Sequence, residues 1–260
     1  MIPIAPQISA VLDTCVLFPN SLRDTLFRAT QAGLYRAYLS DDIMKELDKN
    51  LVKRGAVKTP EQAQHLMDMI RKNLRHTFVT GYEALIPVLT NSETDRHVLA
   101  AAIQANAQLI VTVNLRDFPA RALSAYNVTA QHPDDFLTYL HDRDPDIMAH
   151  VIVKQSEGLK RRPMTVAEVL ETLLQHVPTF VARAYTYLSN SGELPLDRHT
   201  RDLYTKLRHR NADIPTMSPD VLHQLWAGYD REELREADQT RPSDEITAAD
   251  DADKTTAADE

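Results

Sequence analysis

Four short stretches carry residues whose types and spacing could do chemistry. They are an apolar run ending in an acid, Ala10-Val-Leu-Asp13-Thr14; Glu46 within Asp41-Asp-Ile-Met-Lys-Glu-Leu; Asp95 opening Asp95-Arg-His-Val-Leu-Ala-Ala-Ala-Ile; and Val111-Thr-Val-Asn-Leu-Arg-Asp-Phe-Pro119. Acids at the ends of strands and helices are the donor set of a hard-metal site. Mg²⁺ and Mn²⁺ take oxygen ligands, with one or two carboxylates, water and a substrate phosphate completing the shell. Two such ions roughly 3.5–4 Å apart activate an attacking water and stabilise the leaving oxygen of an in-line phosphoryl displacement. Converging carboxylates repel one another, and a divalent ion relieves that repulsion. The pattern points to a metal-dependent nuclease, with Asp13, Glu46 and Asp95 as the cluster.

The elements that must position these acids follow from the patterning. Ile8–Phe18 is rich in β-branched and other apolar residues around Asp13, which suits a buried strand that ends in a loop at the acid. A helix over 22–32 buries Leu22, Leu26 and Ala29 and stops at Gly33, and a short strand follows around Tyr35–Leu39. Ser40 caps a helix with Ile43, Leu47 and Leu51 on one face. Thr59-Pro60-Glu61-Gln62 starts another, with Leu66, Ile70 and Leu74 inward, running to Arg75. Phe78-Val79 is weakly strand-like and Tyr82–Leu89 suits a short helix. Ser92-Glu93-Thr94-Asp95 has the form of a capping box before Val98–Ala105. Leu109–Val113 and Val128-Thr-Ala130 make further strands, and a helix over 133–150 buries Phe136, Leu137 and Leu140.

Strands alternating with helices, joined by crossovers too long for hairpins, indicate a mainly parallel sheet flanked by helices. Ligand sites in such sheets gather at the carboxyl ends of the strands, which places Asp13 and the loop Asn114–Asp117 on one edge. Beyond about residue 150 the strand signal stops. Thr165-Val-Ala-Glu168 is a capping box, Pro178 interrupts the pattern before Phe180–Leu188, and Ser218-Pro219 starts a helix carrying Val221, Leu222, Leu225 and Trp226. The expected organisation is an α/β domain over 1–150, a smaller all-helical domain over 151–230, and an acidic disordered tail over 231–260 with almost nothing to bury. No internal repeat is evident.

Composition narrows the classes. The single cysteine, Cys15, excludes an intramolecular disulfide framework and a four-cysteine zinc site, and favours a reducing compartment. No run of 18 apolar residues and no basic-then-apolar leader occurs, so a soluble, cytoplasmic protein without membrane contact is expected. The net charge of −8 is carried entirely by residues 230–260, with 4 basic and 12 acidic side chains. Residues 151–212 hold 10 Lys/Arg against 6 Asp/Glu, and the local field decides whether a nucleic acid can bind. Lys154, Lys160, Arg161, Arg162, Arg198, Arg201, Lys206, Arg208 and Arg210 could track an RNA backbone or simply form a solvated face. The acidic tail could compete with RNA for them; a solubilising tail is the plainer reading.

The four motifs, in this order and at these spacings, resemble the PIN domain, most closely the branch that includes VapC-type ribonuclease toxins of bacterial toxin–antitoxin pairs. The resemblance covers about residues 8–140. It implies a parallel sheet flanked by helices, a Mg²⁺ or Mn²⁺ site, cleavage of RNA phosphodiester bonds, and Asp13, Glu46 and Asp95 as the principal acidic ligands. It also implies a cognate antitoxin that covers the acidic groove, and a possible homodimer. The fourth position departs from the common pattern: Asn114 stands two residues after Thr112 where an aspartate is frequent, and Asp117 follows three residues later as a distal acid. Thr14, Thr112 and Asn114 are supporting polar groups, and Arg96, His97, Arg116, Lys160, Arg161 and Arg162 are candidate RNA contacts.

Each residue also has a plainer role. Asp13 could cap a loop, Glu46 could be a solvated helix residue, Asp95 a capping acid, Asp117 a turn residue, His97 a satisfied surface histidine, Cys15 a small buried hydrophobe and Trp226 core. Two other functions were open at this point. A catalytically weak RNA-binding PIN module is suggested by Asn114. A phosphatase of the haloacid-dehalogenase type needs a second aspartate two residues after the first, where Cys15 stands.

Overall fold

A computed structural model describes residues 8–74, 77–159, 163–195, 197–210 and 221. The chain opens with β1 (Ser9–Leu12), α1 (Thr14–Leu17), α2 (Asn20–Gln31), β2 (Arg36–Ser40), α3 (Asp41–Lys53), α4 (Pro60–Asn73) and β3 (Phe78–Val79). After 3-10 turns at Glu83–Val88 and Glu93–Asp95 come α5 (Arg96–Gln104), β4 (Leu109–Val111), a 3-10 turn at Leu115–Asp117, α6 (Ala120–Leu123) and β5 (Thr129–Gln131). Helices then follow without strands among the described residues: α7 (Pro133–Arg143), α8 (Pro145–Gly158), α9 (Val166–Leu174), α10 (Pro178–Asn190) and α11 (Arg198–His209).

All five strands are parallel, in the order β3-β2-β1-β4-β5. The chain therefore winds outward from β1 to β3, then crosses back to β4 on the other side of β1. The ends of β1 and β4 flank this reversal, where the connections leave in opposite directions and open a crevice. All four β1 residues are buried, as expected of a strand covered on both faces. The apolar run at 8–18 is only partly strand: from Thr14 it turns into a helix whose last carbonyls, Leu17 and Phe18, accept from the buried Arg23 guanidinium at 2.6 and 3.4 Å. Burial holds the Arg23 pKa down at about 10.

Several local expectations are met by local chemistry. Ser40 accepts from Ile43 N, Thr59 accepts from Gln62 N, and Thr165 with Glu168 forms a reciprocal capping box. Gly33, at φ +82°, ends α2 in the left-handed region that glycine adopts most readily. Two expectations fail. The helix over 133–150 is two helices, broken at Asp144, because Pro145 cannot continue the hydrogen-bond ladder and instead starts α8. Ser92 makes no cap bond; its hydroxyl meets Thr94 Oγ1 at 3.1 Å while its N–H goes to Asp117 O at 3.2 Å. The boundary expected at residue 150 falls inside α8. The expected helix from Ser218, Trp226 and the acidic tail lie outside the described residues.

The C-terminal helices share one buried cluster with the sheet region. Thr25 on α2 donates to Gln155 Oε1 on α8 at 2.7 Å, and Gln155 Nε2 returns to Ser21 O at 3.0 Å. Between α7 and α10, His141 is buried edge-on to Phe180 and Tyr187, at centroid distances of 6.3 and 5.8 Å. Burial lowers its pKa below 6.5; the Asp142 carboxylate, 3.6 Å from Nδ1, partly offsets this, and Arg183 on α10 reinforces it. A depressed folded-state pKa means that the unfolded chain takes up the proton first. The contribution of His141 to stability is therefore complete above 6.5 and is lost as pH falls below it. Urea unfolding across that range should show stability falling with pH, with a smaller fall in His141→Gln; an equal fall in the variant would remove His141 as a cause. His176, also lowered by burial, contributes with the same sign in both proteins.

Candidate active site

The strand ends deliver the first two parts. Asp13 follows β1 directly, is 3% exposed, and its backbone N–H still pairs with Val111 O on β4 at 3.1 Å. Two donors converge on one carboxylate oxygen: Thr112 Oγ1 at 2.7 Å and Cys15 Sγ at 3.0 Å both reach Oδ2. Thr112, fully buried at the end of β4, also accepts from Asn114 N at 2.9 Å, and Cys15 Sγ accepts from Val113 N at 3.3 Å. Burial, with Asp13 alongside, pushes the Cys15 thiol up to about 12, so it remains a neutral donor. Oδ1 of Asp13 accepts no hydrogen bond among the described residues and is the oxygen left for a cation.

Glu46, exposed on α3, is held through Oε2 by the Thr14 hydroxyl at 2.9 Å, and His97 Nε2 stands 3.7 Å from the same oxygen. Asp95 closes the 3-10 turn ahead of α5. Its carboxylate caps nothing but accepts from Thr94 Oγ1 at 2.6 Å, and the Thr94 carbonyl meets His97 Nδ1 at 3.0 Å. Asp117 is half-buried and tied by backbone, its N–H to Asn114 O at 3.0 Å and its carbonyl to Ser92 N–H at 3.2 Å. A chain of contacts runs from Asp13 through Thr112, Asn114, Asp117, Ser92, Thr94, His97 and Glu46 to Thr14, the residue after Asp13, with Asp95 bonded to Thr94.

Among the described residues, no three acid, histidine or cysteine side chains are close enough to hold an ion by themselves. The donor set is nevertheless oxygen-rich, as a hard divalent ion requires with water and phosphate filling its shell. His97 Nε2 is a buried atom without a hydrogen-bond partner among the described residues, a lone nitrogen whose partner would have to be something other than these side chains. The residues present fit such an ion.

Of the candidate RNA contacts, Arg116 is exposed on the Asp117 loop and Arg96 is half-buried beside Asp95. Lys160, Arg161 and Arg162 lie outside the described residues. Several basic side chains farther on are engaged: Lys154 with Glu157 at 2.7 Å, Lys206 with Glu171, Arg198 with Asp202 at 3.9 Å, and Arg210 with Leu174 O at 3.1 Å.

Sequence reasoning took Cys15 for a buried hydrophobe. It is half-buried with its thiol on Asp13, a role that depends on Thr112 and Val113 nearly a hundred residues away. Thr94 was missed altogether, since nothing local separates it from any turn threonine.

A family described as "PIN domain" matches residues 9–116, and one described as "VapC50 C-terminal domain" matches residues 133–186. The chain thus carries a stretch similar to the PIN domain, followed by one similar to the C-terminal domain of a VapC-type protein. Over 111 residues it is 40% identical to a Mycobacterium tuberculosis protein named "Putative ribonuclease VapC50", a match covering 43% of this chain and 66% of that relative, just under two thirds. No solved structure matches. The PIN match ends inside the Asn114–Asp117 loop, so Asp13, Glu46, Asp95, Thr112 and Asn114 lie within it and Asp117 just beyond.

Among the described residues, no helix is long and apolar enough to cross a membrane. Thr112→Val removes the donor to Asp13 and leaves Asn114 N unpaired. Loss of such outer partners costs about 10–100-fold in metal affinity. Titration of Mn²⁺ into Thr112→Val should show a drop of that size with Cys15→Ala milder, and an unchanged affinity in Thr112→Val would deny it the orienting role.

Proposed function

We propose that this protein is a metal-dependent endoribonuclease and the toxin of a toxin–antitoxin pair. The observation that carries the reading is that Asp13, Glu46 and Asp95 lie within the stretch similar to the PIN domain, with Asp13 buried at the carboxyl end of β1 beside the β1–β4 reversal; Asp117 joins them as a distal acid. These four would hold Mg²⁺ or Mn²⁺. Once bound, the ion supplies Lewis-acid activation and charge stabilisation for in-line displacement at phosphorus.

The chain's own groups do the positioning. Thr112 and Cys15 hold Asp13 through Oδ2, Thr14 fixes Glu46, and Asn114 joins the Thr112 hydroxyl to the Asp117 turn. Arg96, His97 and Arg116 would contact RNA beside the acids, and Lys160, Arg161 and Arg162, outside the described residues, are further candidate contacts by their charge. Val113 and Leu115, 43% and 42% exposed on either side of Asn114, offer apolar contact to an antitoxin segment lying over the acids. The protein would act in the cytoplasm, as a homodimer or as a complex with its antitoxin.

Substrate class is tested with RNA and DNA strands of one sequence, incubated with Mg²⁺ or EDTA. Cleavage of RNA alone, abolished by EDTA, is expected. Cleavage of neither strand across several sequences would overturn the nuclease reading, and cleavage of both would overturn the restriction to RNA.

A further inference from the structure

The segment from Asn91 to His97 concentrates buried polar atoms that lack a hydrogen-bond partner among the described residues: both side-chain atoms of Asn91, Nε of Arg96 and Nε2 of His97. Buried polar atoms are normally paired, so an orphan calls for a specific explanation, and an ion is one. His97 is the most informative. Its Nδ1 lies 3.0 Å from the Thr94 carbonyl oxygen, which can only accept, so Nδ1 carries the proton. Nε2 is left as the second ring nitrogen, 3.7 Å from Glu46 Oε2, a distance too long for a hydrogen bond. Two donors each bound at about 2.1 Å to one first-row ion stand at most about 4.2 Å apart, so the pair lies within reach of a shared cation. The Nδ1–H bond to a backbone carbonyl is, moreover, the outer contact by which metal-binding histidines are usually oriented. Thr94 supplies that carbonyl and, through its hydroxyl, also holds Asp95 at 2.6 Å.

We propose that His97 Nε2 is a nitrogen ligand of the divalent ion at this edge, paired with Glu46 Oε2, and that it makes the site select Mn²⁺ over Mg²⁺. The proposal rests on the metal-dependent reading above and gives His97 an ion to bind in place of RNA. Mg²⁺ favours a rigid all-oxygen octahedron with several waters. An imidazole nitrogen suits transition ions, and Mn²⁺ accepts both nitrogen and carboxylate oxygen. One histidine added to a carboxylate set therefore tilts the balance towards Mn²⁺.

The test is pulsed electron paramagnetic resonance on full-length protein loaded with Mn²⁺, with natural-abundance and ¹⁵N-labelled histidine, beside His97→Gln and His97→Asn. Expected are nitrogen modulation in the wild type that changes with the histidine label and its loss in both variants. Mn²⁺ affinity should fall about tenfold or more in the variants, with Mg²⁺ affinity nearly unchanged. Thermal unfolding of the metal-free variants separates a lost ligand from a lost fold, and the labelled wild-type spectrum needs no variant. Mn²⁺ bound without histidine modulation, as in a plain His97–Glu46 ion pair, overturns the ligand and leaves the nuclease reading standing. No Mn²⁺ binding by the wild type overturns both.

Discussion

Asp13→Asn should leave a folded protein that cleaves RNA at least about 10³-fold more slowly, the loss expected when several kcal/mol of metal-assisted stabilisation disappear at about 1.4 kcal/mol per decade. The substitution keeps the shape of the side chain, and an asparagine oxygen can still accept from Thr112 Oγ1 and Cys15 Sγ. What disappears is the negative charge on a side chain that is 3% exposed and that no cation of the chain pairs among the described residues. A buried, unpaired carboxylate is held at a cost to stability, so in EDTA the variant should unfold at the same temperature as the wild type or higher. Loss of activity with equal or greater stability is the signature of a group retained for binding an ion. A variant that unfolds well below the wild type would instead mark Asp13 as a structural loop acid.

Asp134→Ala should have the largest effect on stability, about 2–4 kcal/mol in urea unfolding. Asp134 lies in the first turn of α7 and is 8% exposed. Its two oxygens accept from Thr179 N at 3.1 Å and Phe180 N at 2.8 Å, the first amides of α10. The residue at the N-cap of α10, Val177, has no side chain that could cap it. The helix therefore borrows its cap from α7, where the carboxylate also meets the positive end of the α10 dipole. Removing it leaves two amides unpaired at the seam between the sheet region and the C-terminal helices. Asp134→Asn, which keeps one acceptor, should lie between. A loss below about 1 kcal/mol for the alanine variant would show that water replaces the cap without penalty.

Features governed by near neighbours were legible in the sequence, whereas those governed by distant partners were not. Ser40, Thr59 and Thr165 cap their helices within three residues, and β1, β2, β4 and β5 announce themselves as short apolar runs. Parallel pairing followed from crossover lengths, and with it the placement of Asp13 and the Asn114–Asp117 loop on one edge. Ser92 has the same local pattern as Thr165 and does not cap, because the Asp117 carbonyl, 25 residues on, takes its N–H and bends the segment into a 3-10 turn. Cys15 was underestimated and Asp134 escaped notice for the same reason: each is tied to a residue 45 or more positions away. Pro145 was a local signal, and the continuous apolar spacing on either side of it concealed the break.

The most direct test of a metal-dependent ribonuclease at this edge is digestion of a mixed pool of transfer, ribosomal and messenger RNA with Mg²⁺, Mn²⁺ or EDTA, beside an Asp13→Asn/Asp95→Asn double variant. Discrete fragments that require the metal and are absent with the variant are the predicted result. The same fragments from the double variant, or none from antitoxin-free wild type with either ion, would contradict it.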